Sequence, residues 1–157
     1  MPHYDVVRQS LLSRNRDIRF EGATVARLEY AFLSSRARLH VGGVAFAIDR
    51  SGFFRVRYAL RSGAQTLLVV ARGVERRASW VAVEPAGLDF AIHSFRGQGG
   101  RFTVLQDGEA VGTVHPPKAF SSVVRAELPD EMPLSMVGFV VALCIASIDA
   151  RNAAAAS

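Results

Sequence analysis

The 157-residue chain carries eighteen arginines and one lysine against fourteen acidic residues, a net charge of +5, and half of it is hydrophobic. That length fits one domain with a sizeable core and is too short for two, and the apolar content excludes a disordered chain. Cys144 is the only cysteine, so the sequence implies neither a disulfide framework nor an oxidising compartment.

The first fifteen residues lack the basic start, apolar centre and small-residue cleavage site of a secretory signal, which makes the cytoplasm the expected location. Residues 1–16 read as an N-terminal extension with a short helix around Tyr4 to Leu12. Residues 17–150 read as one domain, and 151–157, with the Ala153–Ala156 run, as a disordered tail.

From Ile18 onward the hydrophobic period is two. Ile18 to Phe20 and Thr24 to Phe32 open the series. In 36–41, Ala37, Leu39 and Val41 share one face and Arg36, Arg38 and His40 the other. A turn at Gly42-Gly43 leads to Val44, Phe46 and Ile48. After Asp49 to Gly52, the residues Phe54, Val56, Tyr58 and Leu60 are predicted to line one buried face, with Arg55, Arg57 and Arg61 on the other. Further strands are expected over 65–71, 79–83, 88–93, 101–105, 110–114 and 123–128, parted by turn signals such as Pro85-Ala86-Gly87 and Asp107-Gly108. About eleven strands at this spacing predict a mainly β fold.

The last element differs in kind. Residues 132–148 contain no charge and have no polar side. Asp130 and Glu131 precede Met132-Pro133, which is how a helix begins. Its large side chains, if buried, contribute on the order of 15–30 kcal/mol gross, so a position in water is excluded. Protein or lipid must surround it. At roughly 25 Å it falls short of a bilayer's roughly 30 Å apolar core. It matches the height of a small barrel, and a closed barrel of eleven or twelve strands needs its lumen filled. The expectation is therefore a closed antiparallel barrel with the C-terminal helix threaded through its centre. The alternative is a tail-anchored membrane protein with 132–148 spanning the bilayer. Gly138, Ala142 and Ala146, four residues apart, would let one stripe of the helix lie close to a strand.

This element order resembles the tubby C-terminal-like superfamily, which includes the plant LURP-one-related proteins and the phospholipid scramblases. The likeness is carried by the Gly-terminated hairpins, Phe102-Thr103-Val104-Leu105 leading to Gly108 and Val111-Gly112-Thr113-Val114, the approach Ala126-Glu127-Leu128-Pro129, and the helix Leu134 to Ile148. It implies a non-enzymatic binding or scaffold module. The tubby branch binds phosphoinositide headgroups and the scramblases associate with membranes, which makes anionic phospholipid, or else a protein, the expected partner. No cluster here matches the tubby headgroup-binding residues.

The candidate headgroup site comes from charge. Arg55, Arg57 and Arg61 share one strand face, and Arg72, Arg76 and Arg77 surround the next loop but one, so adjacency would give a patch able to hold phosphate by bidentate hydrogen bonds. Trp80 reads as a core residue, with a membrane-interface position as the other option. Nucleic acid is an unlikely partner because most phenylalanines fall on the buried face and leave little for base stacking.

His3, His40, His93 and His115 have no metal-ligand spacing, and no serine sits in an activating context, so no metal, cofactor or catalytic residue is predicted. Gly97 to Gly100 opens no helix and is no dinucleotide cradle. Asp130 and Glu131 serve as helix-start residues rather than an acid-base pair. The sequence sets no oligomeric state.

Overall fold

Twelve antiparallel strands close on themselves in chain order, β1 pairing with β12 as well as with β2. The computed structural model describes residues 2–10, 13–31, 36–52, 54–73, 80–94, 100–116 and 123–156. The first half of the wall is β1 (His3–Arg8), β2 (Arg16–Phe20), β3 (Ala23–Tyr30), β4 (Ala37–Val41), β5 (Val44–Ser51) and β6 (Arg57–Ser62). The second half is β7 (Gln65–Arg72), β8 (Trp80–Glu84), β9 (Phe90–Ser94), β10 (Phe102–Gln106), β11 (Glu109–His115) and β12 (Val123–Glu127). The helix α1 (Leu134–Ala156) follows.

Every residue from Val137 to Ile145 is buried. At 100° per residue such a run covers the full circumference of a helix, so α1 is enclosed on all sides by the strands' inward faces. Those faces supply Val6, Ile18, Leu28, Leu39, Ile48, Leu60, Val70, Ile92, Val104, Val114 and Val124, all in one core with α1. The predicted threaded barrel is the observed one. The membrane-spanning alternative fails on this enclosure, and no helix among the described residues is long and apolar enough to cross a membrane.

The helix lies nearest β3 and β4. A Cβ at Gly138 would sit 2.5 Å from both Leu39 methyls, so only glycine lets α1 approach β4 this closely. The close approach predicted for the Gly138, Ala142 and Ala146 stripe is thus found at Gly138.

Three expectations are corrected. Residues 3–8 are a strand and not part of a helix. Tyr4 and Val6 point inward with period two, and β1 supplies the hydrogen bonds that join β12 to β2. The tail beyond 150 continues the helix to Ala156, as expected of alanine, the strongest helix former. Phe54 leaves the predicted buried face: β6 begins only at Arg57, and Phe54 is 98% exposed.

Candidate functional site

The two ends of the barrel are built differently. At the end where α1 begins, the hairpins close through short turns: 21–22, 42–43, 63–64, 85–89 and 107–108. At the end where α1 leaves the barrel, the connections are longer: 9–15, 31–36, 52–56, 73–79, 95–101 and 116–122. Antiparallel pairing in strict chain order forces this sorting, because each strand reverses direction and alternate connections fall at the same end.

Charge is sorted with them. The turns and the approach to α1 carry Glu21, Asp89, Asp107, Asp130 and Glu131 and no lysine or arginine, with Glu84, Glu109 and Glu127 at the adjoining strand ends. The described residues of the longer connections include Arg14, Arg36, Arg55 and Arg101 and no acid. Arg8, Arg16, Arg50, Arg57 and Arg72 stand in the terminal or next-to-terminal position of their strands at that end, as do the acids Asp17 and Glu29. Eight of the fourteen carboxylates lie at the end where α1 begins, while Asp17, Glu29, Asp49 and Asp149 lie toward the loop end and offset part of its positive charge, so the described arginines leave that end with a positive excess.

The predicted arginines are brought together only in part. Arg55 Nε donates to the Arg72 carbonyl at 2.8 Å, and the Arg72 amide donates to the Val56 carbonyl at 3.0 Å, so the turn before β6 is tied to the end of β7. The Arg72 guanidinium lies 5.9 Å from the centre of the Trp80 ring. Arg57, first in β6 and opposite Ser51 and Ala71, points outward beside them. Arg61 does not join the group. It shares the outer face of β6 with Arg57 but lies four residues further along, about 13 Å at the usual strand rise, toward the acidic end. Its Nε reaches back to within 4.0 Å of Asp49 Oδ2 on β5, the carboxylate whose Oδ1 lies 3.9 Å from Arg36 Nε. Arg76 and Arg77 lie outside the described residues. Sequence reasoning missed Arg50, the register partner of Tyr58 at the loop end of β5. Its position just before Ser51-Gly52 was the available signal.

Trp80 is a core residue at 4% exposure, with Tyr58 edge-on to it at 5.2 Å. Its packing fixes the inner side of the rim on which Arg72 rests.

A polar cluster closes the same end of the lumen between β2, β3 and α1. Arg16 is 4% exposed, its Nη2 is 3.5 Å from Asp149 Oδ1, and its Nε has no hydrogen-bond partner. Burial lowers the Arg16 pKa from its ordinary value, and Asp149 opposes that shift. Burial pushes the Tyr30 phenol up to about 12. Asn15 Oδ1 accepts the Tyr30 backbone N–H at 2.9 Å, and the Arg14 guanidinium sits 5.0 Å from the Tyr30 ring centre.

Among the described residues no group of histidines, cysteines and carboxylates is arranged to hold a metal ion. His40 lies 3.1 Å from Glu29 and His3 is 3.3 Å from Glu127, each on the outer surface. Burial pushes the Cys144 thiol up, well away from a reactive thiolate. A groove of about 450 Å³ lies beside Glu29, Arg38 and Asp49, and a smaller one of about 140 Å³, lined by Leu88, Phe90, Met132 and Met136, lies where α1 enters the barrel. No protein-family model, no curated protein and no solved structure matches the chain.

Proposed function

We propose that this chain is a tubby-like, non-enzymatic binding module that meets an anionic phospholipid surface through the basic loop end of its barrel. The observation that carries this reading is the separation of charge along the barrel axis. A surface of negative headgroups attracts the end bearing Arg50, Arg55, Arg57 and Arg72 and repels the end bearing Glu84, Asp107, Glu109 and Glu131. A lumen occupied by α1 leaves no internal chamber for a substrate, which favours binding at the rim over chemistry in the barrel.

Sedimentation with vesicles of phosphatidylcholine, with and without phosphatidylserine, tests this. The protein should bind only the anionic vesicles and dissociate as salt rises. At about 1 kcal/mol per cation near the surface, neutralising Arg55, Arg57 and Arg72 together to glutamine should weaken binding by roughly 100-fold, while Arg61→Gln changes it little. Equal binding to neutral and anionic vesicles, or none to either, overturns the proposal.

A further inference from the structure

Phe54 is 98% exposed, whereas the other described phenylalanines, Phe20, Phe46, Phe90, Phe102 and Phe139, are buried or half-buried. It is also held in place. Gly52 has φ +94°, and a Cβ there would overlap the Arg55 carbonyl oxygen, so the turn is tighter than any other residue allows. The two hydrogen bonds that join Arg55 and Val56 to Arg72 then fix the base of the turn to β7. The chain thus presents a large, almost fully exposed apolar ring just before a segment tied to β7, with Arg50 and Arg55 on either side of it in sequence.

We infer that Phe54 is a membrane anchor, a ring that enters the apolar boundary of an anionic bilayer while Arg50, Arg55, Arg57 and Arg72 engage the headgroups around it. The inference rests on the proposed membrane function and adds the depth and direction of contact. Charge complementarity selects the occupant. A ring flanked by cations fits a surface that offers negative headgroups at its edge and hydrocarbon just beneath. A ring this exposed suits a fluid bilayer, which yields to it, better than a rigid partner that would need a matching groove. The helix backbone continues past Asp149 to Ala156 at the same end, so the contact is the β5–β7 sector of the rim and the barrel axis lies tilted against the membrane.

The test uses the full chain, phosphatidylserine-containing vesicles and two variants. Phe54→Ala removes an exposed ring and leaves the core residues and the arginines in place, and its thermal unfolding should stay close to the parent's. Binding should fall on the order of tenfold or more. Phe54→Trp should retain binding, and its added emission should be quenched by lipids brominated on the acyl chain, with the buried Trp80 of the parent giving the unquenched baseline. Unchanged binding of Phe54→Ala, or an unquenched Phe54→Trp, overturns the anchor. If arginine neutralisation still abolishes binding in that case, the electrostatic reading survives alone. Failure of the parent to bind any anionic vesicle, including binding of short nucleic acid in its place, overturns both.

Discussion

Arg16 at the start of β2 and Asp149 on α1 meet at 3.5 Å although 133 positions apart in sequence, and their contact ties the helix to the wall where it leaves the lumen. The arginine is buried and the carboxylate is 42% exposed at its side chain, so the two partners do not respond alike to loss of the other.

Asp149→Asn leaves the Arg16 charge buried beside a neutral amide. Stability should fall by about 1–2 kcal/mol, less than for a fully enclosed pair because water already screens Asp149. A lower urea midpoint at unchanged slope is the expected result. An unchanged midpoint would mean that the helix end is held by packing alone.

Gly138→Ala places a methyl against Leu39, which is fully buried and cannot swing away. The substitution gains about 1 kcal/mol of helix propensity and meets an overpacking cost of about 1–3 kcal/mol. A net loss is expected. Leu39→Ala in the same chain should relieve the clash, giving a double variant more stable than the separate effects sum to. Additive effects in denaturant titrations would contradict the close crossing of α1 and β4.

Cys144 has no solvent exposure and its thiol is held protonated by burial. A disulfide reagent should fail to label it in the native protein and should label it at the rate of unfolding in denaturant. Rapid native labelling would show the helix to be accessible. Val140→Asp extends the same test: Val140 is fully buried, and a lone carboxylate there costs several kcal/mol, so circular dichroism should show no cooperative fold.

Tyr30 has its folded pKa raised from 10.0 to about 12, so its stabilising contribution is complete below pH 10 and disappears as pH climbs toward 12. Its hydroxyl has no hydrogen-bond partner, so Tyr30→Phe should be close to neutral at pH 7. The variant should lose less stability than the parent between pH 10 and pH 12. Parallel pH profiles would place the phenol in water.

The wall and its filling were legible because both rest on local pattern. Alternation marked β4 and β5, and an uncharged run preceded by Asp130 and Glu131 marked the helix. The errors have local causes too. Tyr4, Val7 and Leu11 satisfy a helical spacing as well as Tyr4 and Val6 satisfy a strand, and only the demand for closure decides between them. Alternation from Phe54 to Leu60 runs unbroken through a turn, and Gly52 was the sign that it did. For the candidate site, the kinship of Arg55, Arg57 and Arg72 could be read from consecutive hairpins. The exclusion of Arg61 could not, because position along a strand acquires meaning only when the ends of the barrel are distinguished. Segregation of the carboxylates is invisible in sequence for the same reason: neighbours in the chain alternate between opposite ends.

The seam between β1 and β12 bears on how the protein is made. A ribosome delivers the plug after every stave, so a nascent chain cannot close its hoop until synthesis passes Glu127 and has nothing to fill it until synthesis passes Ile145. Until then the greasy inner edges of β2 to β7 are available to other chains, and sequestration by a chaperone during translation would matter more here than for a protein whose nucleus is made first.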